Sequence, residues 1–218
     1  MKLVIGNKNY STWSMRPWVF LRGFDVNFEE QWVSLQEPDL HQRLKQFSDS
    51  AKVPVLQDGD LTLWDSLAIC EYVNDQYLDG AGWPSDPSSK GFARSVAAEM
   101  HSSFAALRNE MPMNIRASRI IQPSQQCLRD IQRIDEIWSR FAAPDSDGNL
   151  RLFGQFSIAD CMFAPVVMRF ATYQPILSKP AQAYANAMLT HPAIAEWING
   201  ALQESEIVDV DEAGTERN

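Results

Sequence analysis

Residues 52–73 read KVPVLQDGDLTLWDSLAICEYV. Two short apolar runs, 53–57 and 61–64, flank Asp58-Gly59. Asp-Gly accepts the positive φ angles of a tight hairpin, so the runs are predicted to pair as strands. Leu67, Cys70, Val73 and, just beyond, Tyr77 recur at helical spacing and predict a helix over 66–77. Asp65-Ser66 stands between strand and helix. Both residue types are favoured N-caps. A helix start also gathers free N–H groups and partial positive charge, which suit a carboxylate. Pro54 removes a ladder donor and so belongs at the beginning of its strand. Either it opens the strand in trans, or a cis Val53-Pro54 bond turns the N–H and C=O of Val53 outward, where a peptide-like ligand could pair with them.

Outward from this stretch the same pattern continues. Residues 2–6, KLVIG, read as a short buried strand, and 7–14, NKNYSTWS, as a polar turn. A helix follows over 15–24, with Ser14 a candidate N-cap and Pro17 placed in its first turn, where a missing N–H costs little. A second strand (NFEEQWVSL) and a short helix after Pro38 complete β-α-β-α-β-β-α over residues 1–78. Residues 79–89 are rich in Gly, Pro and Ser, as domain joints are. Residues 90–203 carry helical patterns over about 93–111, 123–143, 158–172, 180–189 and 192–202, with no convincing strand. The tail, 204–218, holds six acids (Glu204, Glu206, Asp209, Asp211, Glu212, Glu216) and one base, Arg217. With little to bury, it is expected to be solvated and flexible.

The chain of 218 residues is 45% hydrophobic and 22% charged, enough for a sizeable core or two smaller ones. Its net charge of −9 repels phosphate backbones, so nucleic acid is not an expected partner. The apolar run Leu3, Val4, Ile5 is too short for a signal core, and no run approaches a membrane span, so the expected location is the cytoplasm. Cys70, Cys127 and Cys161 are far apart and odd in number. They read as small buried hydrophobes rather than a disulfide framework. His41, His101 and His191 show no metal-ligand spacing, and no metal is expected.

In combination these elements resemble the glutathione transferase superfamily: a Pro-opened strand, a hairpin, an acid-Ser helix start, then an all-helical region. The resemblance covers residues 1–203 and implies a thioredoxin-like N-terminal domain, an all-α C-terminal domain and glutathione as co-substrate. Ser157-Ile158-Ala159-Asp160 matches the family's Ser/Thr-x-x-Asp signature. It is a capping-box pattern, so Ser157 and Asp160 are assigned to folding rather than chemistry.

Ser11-Thr12-Trp13-Ser14-Met15-Arg16 looks like the Ser-x-x-Ser-x-Arg stretch of the serine-type, zeta-like, bacterial members. The resemblance places Ser11 at the glutathione sulfur, Val53 with Pro54 at its backbone, Asp65 and Ser66 at its γ-glutamyl head, and Lys52 near its glycyl end. A hydroxyl donor and a helix start both favour a thiolate. Tyr10, Thr12 and Ser14 are rival donors. No Cys occurs in this stretch, which excludes dithiol exchange. Trp13, Arg108, Met111, Met113 and Arg116 are candidates for the electrophile's pocket, with Arg169 a further cation. Where zeta enzymes place an Arg after the Ser-x-x-Asp helix start, this chain has Thr172. The implied activity is attack of the glutathione thiol on a small electrophile, in a homodimer. Alternatives are a glutathione-dependent isomerase, dehalogenase or peroxidase, or a non-catalytic binding module.

Overall fold

The computed structural model describes residues 1–217. Asn218, the last residue of the acidic tail, lies outside the described residues.

The first unit is built as the sequence predicts: β1 (Lys2–Ile5), α1 (Thr12–Gly23), β2 (Glu29–Trp32), α2 (Leu40–Lys45), β3 (Val55–Asp58), β4 (Leu61–Trp64) and α3 (Ser66–Tyr77). Its sheet has the order β2-β1-β3-β4. β1 pairs in parallel with β2 and antiparallel with β3. Asp58 and Leu61 close the β3–β4 hairpin, with Gly59 at φ +58° supplying the turn. Val53-Pro54 is cis, and the β3 ladders begin only at Val55, so Val53 stands just outside them.

One expectation needs correction here. Helix α1 begins at Thr12, with Ser11 rather than Ser14 at the N-cap position. Ser14 is therefore inside the helix, and Pro17 lies beyond the first turn. Two serines three residues apart suit the same role, and the geometry of the preceding turn decides between them.

The second unit comprises α4 (Pro87–Ser102), α5 (Ala105–Glu110), β5 (Arg119–Ile120), α6 (Gln125–Phe141), β6 (Ala142–Pro144), β7 (Leu150–Leu152), α7 (Ile158–Tyr173), α8 (Lys179–Leu189) and α9 (Pro192–Gln203). Helix α7 is buried along nearly its whole length and packs against α1 and α4, joining the two units in one core. Such a helix is apolar all round because no face meets water. At its N-terminus the capping box forms: Ser157 N and Oγ both donate to Asp160 Oδ2, at 3.0 and 3.1 Å. Gly23, at the end of α1, lies against the ring of Phe156; a Cβ there would come within 2.3 Å of it.

The helix expected over 93–111 is broken. Phe104 takes a left-handed conformation (φ +64°) and turns α5 away from α4. Short strands, not expected in this unit, also appear: β6 pairs with β7, and β5 with β8 (Thr215–Glu216).

That last pairing belongs to the acidic tail, a segment expected to be solvated and flexible that, though largely exposed, makes specific contacts. Residues 204–217 lie across the molecule. Glu204 accepts hydrogen bonds from Lys8 N and Asn9 N, and Glu206 from Asn7 and Ser34. Glu212 accepts from Tyr10 and Asn114, and Arg217 donates to the carbonyl of Tyr173. The partners of these acids lie 98 to 202 residues away in sequence, so nothing local marks them as paired.

The three cysteines are buried thiols. Burial pushes their pKa values up, that of Cys127 to about 12. Among the described residues, no helix is long and apolar enough to cross a membrane, and no cluster of His, Cys, Asp or Glu is placed to hold a metal ion.

Candidate functional site

A cavity of about 500 Å³ opens where β3, β4, α3 and the start of α1 converge. Its wall includes Trp13, Ser50, Lys52, Val53, Pro54, Trp64, Asp65 and Ser66. Residues 52–54 and 65–66, singled out by the opening stretch of sequence, thus come together on one surface. The hairpin brings them there: it folds β4 back along β3, setting the start of α3 beside the cis bond.

Asp65 sits at φ +75°, a strained position for a residue with a side chain. Its Oδ1 caps α3 by accepting from Leu67 N (2.9 Å) and Ala68 N (3.1 Å). Its Oδ2 lies 3.0 Å from His101 Nε2, a partner from α4 that sequence reasoning missed. Ser66 is fully buried, and among the described residues its hydroxyl has no hydrogen-bond partner. A buried hydroxyl without a partner is costly unless a ligand supplies one.

Ser11 occupies the N-cap position of α1, but its side chain accepts no bond from the helix backbone. Instead its hydroxyl donates to Ser14 Oγ at 2.7 Å, and Ser14 Oγ also accepts from Gly6 N at 3.1 Å. Ser14 is fully buried and Ser11 slightly exposed, so Ser11 is the outer member of the pair. Tyr10 is turned elsewhere: its hydroxyl donates to Glu212 at 2.5 Å and accepts from Arg116 at 3.1 Å. Burial and the bond to Glu212 hold its pKa above the ordinary value.

Beneath Trp13 lies a group of cations. Arg16 is fully buried, its guanidinium 4.2 Å from the centre of the Trp13 ring, and Arg108 lies 5.0 Å from the same centre. Among the described residues none of Arg16's guanidinium nitrogens has a hydrogen-bond partner. Burial, then the charges of Arg108 and Arg169, depress its pKa well below the usual guanidinium value. Arg169 is also buried, and burial followed by the charge of Arg108 brings it down to about 9. Arg16 and Arg108 at one indole, with Arg169 near enough to act on their charges, make this region electropositive.

The five residues expected to form the electrophile's pocket are not gathered there. Trp13 lines the cavity, and Arg108 stacks near it. Met113 is buried in the core, and Met111 lies along a separate apolar groove with Ile121, Leu128 and Tyr173. Arg116 points into a third cavity, of about 430 Å³, beside Arg119 and Glu212. Nothing in the residue pattern announces the left-handed turn at Phe104 that separates α5 from α4.

Residues 10–76 match the model of the glutathione S-transferase N-terminal domain. A dichloromethane dehalogenase of Methylorubrum extorquens is 39% identical over 66 residues, 29% of this chain and 22% of that protein. A probable maleylacetoacetate isomerase of Caenorhabditis elegans is 30% identical over 104 residues, 46% of this chain and 49% of that one. The matched stretches thus span half or less of these curated relatives. The crystal structure of a glutathione transferase homolog from Burkholderia GL BGR1, with bound glutathione, superposes with a TM-score of 0.70 at 22% identity, covering 93% of this chain and 98% of that one. The chain therefore has the glutathione transferase fold, with a glutathione S-transferase N-terminal domain matched over residues 10–76.

Proposed function

We propose that this chain is a glutathione-dependent enzyme of the serine type, zeta-like, in which the first unit holds glutathione and promotes ionisation of its thiol for attack on a small electrophile. The observation that carries the reading is the Ser66 hydroxyl, without a partner among the described residues and buried at the start of α3 on a cavity wall shared with the cis Val53-Pro54 bond. An α-carboxylate there receives the hydroxyl and the positive end of the helix. Asp65 takes the neighbouring ammonium, sharing Oδ2 with His101. Val53, outside its ladder, offers N–H and C=O to the peptide, and Lys52 faces the glycyl end.

Glutathione, when bound, supplies the nucleophilic sulfur. A cysteine thiol has an ordinary pKa near 8.5, so most of it is protonated at neutral pH. Ser11 turns its proton from Ser14 to the sulfur, and Ser14, anchored by Gly6 N–H, donates to Ser11 in its place. The relay polarises Ser11 and strengthens its bond to the thiolate. The cations beneath Trp13 favour the same ionised state. Two of the curated relatives carry the names of a dichloromethane dehalogenase and a probable maleylacetoacetate isomerase. They favour, as a second reading, a dehalogenase or isomerase using the same thiolate. A homodimer in the cytoplasm completes the proposal.

Calorimetric titration with glutathione tests the binding half. Saturable binding is expected for the wild type. Ser66→Ala should weaken it tenfold or more, since a hydrogen bond to a charged group contributes about 1.5–3 kcal/mol. No binding by the wild type, or equal binding by the variant, would overturn the assignment.

A further inference from the structure

The turn that carries Ser11 is held from outside by the tail. Within the turn, Tyr10 N and Ser11 N both donate to the carbonyl of Asn7, at 3.3 and 2.8 Å. The N–H groups of Lys8 and Asn9 go instead to Glu204, whose Oε1 accepts from Lys8 N at 2.7 Å and Oε2 from Asn9 N at 3.0 Å. One carboxylate spanning two successive amides fixes their relative orientation, and charge-assisted bonds of this kind are about twice as strong as neutral ones. Glu204 directly follows α9, and α9 grips the same turn through Trp197 Nε1, which donates to the carbonyl of Lys8 at 3.0 Å. Trp32 Nε1 adds a bond to Glu204 Oε1 at 3.2 Å.

A second set of contacts restrains Asn9. Its side chain donates to Asn114 Oδ1 and accepts from Arg116 N, each at 2.9 Å. The Arg116 guanidinium in turn binds the carbonyls of Glu204 and Glu206. The second unit therefore clasps residues 7–10 through buried and part-buried polar bonds, and Ser11 is the next residue along.

We propose that Glu204 is a positioning residue for the Ser11 hydroxyl, so that the acidic tail is a working part of the thiol site; this rests on the glutathione reading above. Glu204 reaches the turn on its backbone N–H side. Releasing it removes the bonds that fix the Lys8 and Asn9 amides relative to each other, leaving only the carbonyl and side-chain contacts on the turn, and a hydroxyl displaced by an ångström loses most of its orientation toward the sulfur. The residues that hold the rest of the peptide, Val53, Asp65 and Ser66, are on other elements and stay in place.

The test compares wild type, Glu204→Gln and Glu204→Ala in the full chain. Two quantities are read: the pH midpoint of thiolate absorbance for bound glutathione, and the affinity for S-methylglutathione, which has no proton to lose. In Glu204→Ala the midpoint should rise by about one pH unit, a tenfold fall in the ratio of thiolate to thiol. S-methylglutathione affinity should change less than twofold. Glu204→Gln, retaining one acceptor oxygen, should fall between. An unchanged midpoint would overturn the proposal. So would a raised midpoint accompanied by matching losses of S-methylglutathione affinity and melting temperature, which would mark Glu204 as merely structural. Failure of the wild type to bind S-methylglutathione or glutathione at all would instead overturn the glutathione reading, and this inference with it.

Discussion

Asp160→Ala should lower the free energy of unfolding by about 4 kcal/mol, the scale expected when a buried polar network loses its centre. Asp160 is fully buried and accepts four hydrogen bonds: from Leu152 N (2.9 Å), Ser157 N (3.0 Å), Ser157 Oγ (3.1 Å) and the Tyr184 hydroxyl (3.0 Å). It ties β7, α7 and α8 to one carboxyl group. Alanine would leave each of those donors buried without a partner. The network also carries a pH signature. Burial raises the Asp160 pKa to about 6, against the hydrogen bonds that lower it. The unfolded value is about 3.9. Between about pH 4 and pH 6 the folded state therefore holds a proton that the unfolded state has lost. Asp160 alone then makes stability fall as pH rises through that window, by about 3 kcal/mol, and leaves it level above. Urea unfolding at pH 4.5 and pH 7.5 checks both statements: Asp160→Asn should lose this component of the pH dependence. A loss below about 1 kcal/mol for Asp160→Ala would show that the network contributes little.

The second large effect concerns Arg16, where stability and chemistry should move in opposite directions. A guanidinium fully buried beside Arg108 and Arg169, with no hydrogen-bond partner among the described residues, is a standing cost to the fold. Methionine has a comparable length and needs no partner. Arg16→Met should therefore raise stability by at least about 1 kcal/mol, as seen when buried charges give way to apolar side chains. The same change removes positive charge near the start of α1, so the thiolate fraction of bound glutathione at neutral pH should fall about tenfold. Thermal melts and thiolate absorbance on one preparation would decide. A destabilised variant with unchanged thiol ionisation would show that Arg16 serves packing against Trp13 and nothing more.

The distance of each partner along the chain decides how much of this could be read from sequence. The hairpin at Asp58-Gly59, the cap at Asp65 and the Ser157–Asp160 box are local, each satisfied within a few residues, and each formed where the pattern put it. The convergence of Lys52, Val53, Pro54, Asp65 and Ser66 followed from that local order. Glu204 and Glu212 were illegible because their partners, Lys8, Asn9 and Tyr10, stand at the opposite end of the chain. Acids without apolar neighbours look solvated until the fold brings amides to them. His101 and the Arg16–Arg108–Arg169 group depended on how α4, α5 and α7 pack over α1, and the break at Phe104 gave no signal in residue type. Ser11 and Ser14 were distinguished only when the turn placed one at the cap and the other behind it.

The central proposal is that Ser11, two residues before the cavity-lining Trp13, donates to an ionised sulfur bound at this cavity. The most direct measurement is ultraviolet difference absorbance of the thiolate as glutathione is titrated into wild type and Ser11→Ala at neutral pH. The account predicts a saturable thiolate signal in the wild type that falls at least tenfold in Ser11→Ala, with glutathione still bound. A signal of equal size in the variant would contradict it and move the donor to Ser14 or Thr12.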